Sequence, residues 1–191
     1  MKIGLFFGSF NPIHTGHLII ASYMAHHTDL DKIWLVVSPH NPLKKASDLI
    51  NTYDRLEMAK LATETSDQLE VSDIELKLPR PSYTIDTLTH LHEKFPQHQF
   101  VLIMGSDNLN SLHKWKNYEV LLRDYHIYVY PRPGFDSDAV FSTHSSITIT
   151  DTPLIEISST FIRKSIAQNK NVQYFLPENV LAFIDSKSLY R

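Results

Sequence analysis

Lys2-Ile3-Gly4-Leu5-Phe6-Phe7-Gly8-Ser9-Phe10-Asn11-Pro12-Ile13-His14-Thr15-Gly16-His17 is the stretch that decides the architecture. Residues 2–7 form a short apolar run that ends at Gly8, the pattern of a strand buried on both faces of a parallel sheet. A helix is expected over residues 16–27, where Leu18, Ile19, Ala21, Ser22 and Ala25 recur at helical spacing. Residues 32–37 repeat the buried-strand pattern and are closed by Pro39. Strand, helix and strand in this order make a βαβ unit with a right-handed crossover.

The alternation continues. Residues 52–65 read as a helix capped by Asn51 or Thr52, with Leu56, Ala59, Lys60 and Ala62 on related faces. Residues 69–78 alternate apolar and polar and hold a strand; Pro79 and Pro81 then force a turn. A helix over 84–95, strands over 100–104 and 126–130, a helix over 118–123 and a last strand over 146–150 follow. Short helices over 159–168 and 177–185 close the chain. The fold class is therefore α/β: one doubly wound domain over residues 1–191, with a mostly parallel sheet and a small helical C-terminal part. Such sheets bind ligands beyond the carboxyl ends of their strands. That rule selects residues 8–17, 38–45, 105–115 and 131–134.

Composition excludes several classes. The 191 residues are 42% hydrophobic and 20% charged, the balance of a soluble globular domain. A net charge of -3 carries no basic excess of the kind that binds nucleic acid. No cysteine is present, which removes disulfides, thiolate metal sites and a thiol nucleophile. No apolar run approaches the roughly 20 residues of a membrane span. A cytoplasmic protein without a membrane or nucleic-acid partner is expected; a homo-oligomer is left open.

Within residues 8–17, Gly8 lets backbone approach a ligand closely, and Pro12 stiffens the loop. His14 and His17 stand three apart, at the N-terminal end of the first helix. Free N–H groups and the helix dipole make that end a phosphate site. A lone His-x-x-His is more often a cap or an accident, but this one follows a buried strand and opens a helix. Far along the chain, Ile157-Ser158-Ser159-Thr160-Phe161-Ile162-Arg163 offers a serine-capped helix with free hydroxyls and an arginine fork one turn in, suited to phosphate oxygens. Alone it reads as an ordinary capped helix with a surface arginine.

Together the two stretches resemble the signatures of the nucleotidyltransferase superfamily. His14-Thr15-Gly16-His17 is similar to its T/H-x-G-H element, and residues 157–163 to its I-S-S-T-x-I-R element, which grips the triphosphate. Residues 81–88, Pro-Ser-Tyr-Thr-Ile-Asp-Thr-Leu, resemble the S-Y-T-x-D-T-L element of bacterial nicotinate-nucleotide adenylyltransferases. Residues 105–109 with Leu112 and Trp115 resemble that family's G-x-D-x-L…L-x-x-W element, and Arg132-Pro133-Gly134 fits its turn after the fifth strand. The resemblance covers nearly the whole chain.

It implies a Rossmann-like enzyme that transfers AMP from ATP to nicotinate mononucleotide, with Mg²⁺ accompanying ATP. The implied catalytic residues are His14, His17 and Arg163. The implied ATP contacts are Gly8, Ser9, Phe10, His14, Gly16, His17, Lys44, Gly105, Asp107, Ile157, Ser158, Ser159 and Arg163. Lys44 is chosen over its neighbour Lys45. Tyr83, Thr84, Trp115 and Arg132 are the implied acceptor contacts, with Trp115 stacking on the pyridine ring and Asp107 bonding a ribose hydroxyl. No side chain is assigned to a metal. Asn11 stands where relatives often carry Asp, and it receives no metal role. The alternatives are a sibling enzyme acting on nicotinamide mononucleotide or phosphopantetheine, and a non-catalytic nucleotide sensor.

Overall fold

The computed structural model describes residues 1–39, 49–135 and 141–191. Six strands form one sheet: β1 (Lys2–Gly8), β2 (Lys32–Val37), β3 (Leu69–Ser72), β4 (Gln99–Gly105), β5 (His126–Tyr130) and β6 (Ile147–Ile149). The helices are α1 (Thr15–His27), α2 (Thr52–Thr63), α3 (Thr84–Lys94), α4 (Ser106–Leu109), α5 (Tyr118–Asp124), α6 (Ser159–Ala167) and α7 (Glu178–Ser186). The strand order is β3-β2-β1-β4-β5-β6, and every pairing is parallel. The order reverses between β1 and β4, so the ligand crevice of this topology opens where Gly8 and Gly105 end their strands.

Both faces of the sheet are covered, which is why the strands read as apolar runs rather than alternating ones. Phe6, Leu35, Val37, Val101, Ile103 and Tyr130 point into one core with α1, α2, α6 and α7. Leu5, Val36, Leu102, Met104 and Val129 point into the other, with α3 and α5.

Three local readings need correction. The inward stripe of α1 is Ile20, Ala21, Met24 and Ala25, whereas Ile19 faces outward. On α2 the buried residues include Arg55 and Met58, and Lys60 is exposed. The third strand stops at Ser72, and residues 74–76 wind into a 3₁₀ turn that buries Glu75. Tyr83 caps α3, and Asp86 in its first turn pairs with Lys116 at 2.8 Å.

Candidate active site

The loop between β1 and α1 is packed around its own rings. Phe10 lies at φ 44°, a left-handed conformation that costs a bulky residue energy, and its side chain is buried. Gly8 makes this arrangement possible: a Cβ there would stand 2.7 Å from Phe10 Cζ. The glycine is thus required by the loop's own ring. Phe10 meets Phe6 edge-on at 5.9 Å and His17 at 5.1 Å.

His14 sits at the N-cap of α1 with extended backbone, and it is almost wholly buried. Its ring stacks on that of His17, with centroids 3.7 Å apart. The His14 backbone N–H donates to His17 Nδ1 at 3.2 Å. An accepting Nδ1 places the proton of the neutral His17 ring on Nε2, where it can be donated onward. Burial, aided by the charge of Arg132, pushes the pKa of His14 down to about 4. The stack therefore carries His14 as a neutral ring at physiological pH.

The second motif closes on the first. Ser158 caps α6, its hydroxyl accepting from the Phe161 N–H at 3.2 Å. Ser159 was expected to leave its hydroxyl free for an anion; it donates instead to the Pro12 carbonyl at 2.9 Å. Arg163 Nη1 donates to the Asn11 carbonyl at 2.9 Å. Sequence-distant residues 157–163 thus serve to fix residues 11 and 12, and they bring Arg163 beside the loop that leads to His14 and His17.

Arg55 was not singled out in the sequence. Its guanidinium is fully buried and donates to the carbonyls of Ser9 (2.5 Å), Ser38 (2.8 Å), Pro39 (3.0 Å) and Ile50 (3.3 Å), and to the Thr52 hydroxyl (3.0 Å). These bonds occupy its fork and tie the loops after β1 and β2 to the start of α2. Burial lowers its pKa from the usual arginine value, and among the described residues no carboxylate pairs with it. The signal available in the sequence was its helical spacing from Met58, Ala59 and Ala62, which puts a cation on an apolar face.

Glu75 is the second buried charge that was missed. Its carboxyl accepts from Thr87 at 3.0 Å and from the hydroxyls of Ser38 and Ser82. Burial raises its pKa, and the three hydroxyls oppose that rise. Ser82 directly precedes Tyr83 and Thr84, both half-buried at the start of α3. Lys116 lies 4.7 Å above the Tyr83 ring.

Across the crevice, Asp107 follows β4. Its Oδ1 is buried, has no hydrogen-bond partner among the described residues and stands 3.8 Å from Arg132 Nε. Ser106 fixes the Arg132 backbone, accepting its N–H at 3.0 Å. The charge of Arg132 is also felt at His14. Trp115 is half-buried against the second core, and its buried Nε1 has no partner among the described residues. Lys44 and Lys45 lie outside the described residues. Ile157 packs against the first core, next to the Ser158 cap.

The sequence profile described as cytidylyltransferase-like matches residues 5–165. A protein of Flavobacterium psychrophilum named a probable nicotinate-nucleotide adenylyltransferase is 57% identical over the whole of both chains. One of Flavobacterium johnsoniae with the same name is 56% identical, again over both full lengths. The nicotinic acid mononucleotide adenylyltransferase of Plasmodium falciparum, solved in complex with NaAD, superposes with a TM-score of 0.82 over 99% of this chain and 97% of its own; at 19% identity that is a likeness of fold. The chain belongs to the cytidylyltransferase-like family and, within it, to the nicotinate-nucleotide adenylyltransferases.

Proposed function

We propose that this protein transfers AMP from ATP to nicotinate mononucleotide, giving nicotinate adenine dinucleotide and pyrophosphate. The observation that carries the reading is the junction of the two motifs. Arg163 reaches the Asn11 carbonyl, and the loop it holds presents the stacked His14 and His17 at the N-terminus of α1. Full-length identity of 57% to a relative of that name supports the acceptor.

The reaction is an in-line displacement. An acceptor phosphate oxygen attacks the ATP α-phosphorus, the new P–O bond forms, and the bond to pyrophosphate breaks. The phosphate nucleophile is already ionised, so positioning and charge neutralisation carry the catalysis. His17 Nε2–H donates toward the α- and β-phosphate oxygens, and neutral His14 supports it from behind. Arg163 and Lys44 neutralise the triphosphate, with the backbone of Gly8, Ser9, Phe10, Gly16, Ile157, Ser158 and Ser159 lining its path. Gly105 and Asp107 meet the nucleotide at the opposite wall, and Tyr83, Thr84, Trp115 and Arg132 surround the acceptor. Mg²⁺ would accompany ATP and would supply charge neutralisation at its phosphates.

The test follows pyrophosphate release from Mg-ATP with nicotinate mononucleotide, nicotinamide mononucleotide or phosphopantetheine, each offered separately. Release with the acid mononucleotide alone is expected. Release with another acceptor would overturn the reading of residues 81–88 and 105–115. ATP binding without release in any case would favour a nucleotide sensor.

A further inference from the structure

The loop that carries His14 and His17 is held from outside at three backbone carbonyls. Arg55 takes the Ser9 carbonyl, Arg163 the Asn11 carbonyl and Ser159 the Pro12 carbonyl. A fourth bond reaches the loop from a segment that none of its motifs includes. The Tyr190 hydroxyl donates to Asn11 Oδ1 at 2.8 Å, across 179 residues of sequence.

We propose that Tyr190 is a positioning residue for adenylyl transfer, fixing the Asn11 side chain so that Arg163 and the His14–His17 stack keep their places around the triphosphate.

Three observations argue that this contact is built rather than incidental. First, the chain accepts an uncommon backbone to make it. Ser188 and Tyr190 lie at φ 51° and 64°, in the left-handed region, where a non-glycine residue is held only by its surroundings. The turn is closed by bonds from the Ser188 N–H to the Asp185 carbonyl (3.1 Å) and from the Leu189 N–H to the Ile184 carbonyl (3.0 Å). Second, the approach is anchored independently of the hydroxyl. Lys187 Nζ pairs with Asp54 at 2.5 Å, and Asn179 Nδ2 donates to the Leu61 carbonyl at 2.7 Å, which fastens α7 along α2. Leu189 and the Tyr190 ring pack on the first core. Third, the hydroxyl lies within the electrostatic reach of both Arg55 and Arg163. Those cations favour the phenolate, yet burial dominates and pushes the pKa well above the usual tyrosine value, so the group remains a donor to Asn11. Tyr190 and Arg163 thus hold the same loop residue, one through its side chain and one through its carbonyl.

The inference rests on the adenylyl-transfer reading of this crevice. Tyr190→Phe removes one hydroxyl and leaves the ring, the turn and the ion pair. In the variant, affinity for α,β-methylene-ATP measured by calorimetry, or kcat with both substrates, should fall by roughly three- to tenfold, the scale of one buried hydrogen bond. KM for nicotinate mononucleotide should stay within about twofold, and Tm within a few degrees. A lowered Tm with unchanged analogue affinity and kcat would make Tyr190 a structural residue only and overturn the proposal. No change in any of the three would overturn it equally. If the wild type binds the analogue yet transfers nothing to any acceptor, the functional reading fails, and the comparison of analogue affinities still decides the role of Tyr190.

Discussion

His14 makes a quantitative demand on stability. Its pKa is about 4 in the folded chain against 6.5 for an ordinary histidine, chiefly because burial excludes the charged ring and secondarily because Arg132 opposes it. Well above 6.5 the ring is neutral in both states and contributes no pH dependence. As the pH falls through 6.5 the unfolded ring binds a proton that the folded ring refuses until about 4, so stability is lost across that window. Linkage gives a loss of about 2 kcal/mol between pH ~8 and pH ~5, approaching about 3 kcal/mol at full protonation. With a urea m-value of about 2–3 kcal/mol/M for a chain of this size, 2 kcal/mol corresponds to a midpoint shift of roughly 0.7–1 M. The assay is a difference that isolates this residue: urea unfolding of wild type and His14→Gln at both pH values. The wild type should lose about 2 kcal/mol more than the variant on acidification. Equal losses, or a His14 ring that titrates near 6.5 by NMR, would refute the claim that His14 is buried and neutral. The same neutrality predicts that kcat shows no acid limb from His14 near 6.5.

Three further substitutions probe the supports of the crevice. Gly16→Ala places a Cβ 3.0 Å from His14 Nδ1 and 2.8 Å from Ile155 Cγ2, so the imidazole stack must shift; kcat should fall by about tenfold or more, read in a pyrophosphate-release assay, while the far-UV spectrum stays native. Arg55→Lys keeps the charge but leaves several of five acceptors unmet, at about 1–3 kcal/mol for each one left buried; chemical denaturation should show a loss of at least about 3 kcal/mol, and a loss under 1 kcal/mol would deny the guanidinium its role. Glu75→Gln retains the shape but weakens acceptance from Ser38, Ser82 and Thr87; initial-rate kinetics should show KM for the acceptor rising several-fold with ATP KM little changed, and the reverse pattern would move Glu75 to the donor side.

The parts of this protein that the sequence displays are those set by local pattern. Apolar runs ending in Gly8, Val37 and Gly105 announce a parallel sheet, because strands covered on both faces need no polar side. His14, His17 and Arg163 are legible because their residue types are unusual at a helix start. The helix faces are less so. Hydrophobic residues occur almost all round α1, so spacing alone cannot say that Ile19 faces water and Met24 does not. The supports are least visible. Gly8 looks like a ligand-facing glycine, yet its missing Cβ makes room for the Phe10 ring. Ser159 looks like an anion donor, yet its hydroxyl is spent on Pro12. Arg55, Glu75 and Tyr190 act through bonds to residues 46, 12 and 179 positions away, distances over which no periodicity speaks.

Arg55, Arg163 and Tyr190 also explain how residues 9–14, between β1 and α1, are held in place without regular structure. An irregular backbone at a strand end leaves carbonyls that must find donors. Here Arg55 and Arg163 supply them, and a guanidinium that spends its hydrogen bonds on neutral carbonyls keeps its full charge. A carboxylate partner would have cancelled that charge within the crevice. Arg55 has no such partner among the described residues, so its field is felt at the carboxyl ends of β1 and β2, where a triphosphate would lie in the proposed reaction. The cost of burying it falls on the fold, through the desolvation that lowers its pKa. The same residue thus holds the loop and biases the site toward anions, and a neutral side chain that restored the bonds alone would restore only the first of these.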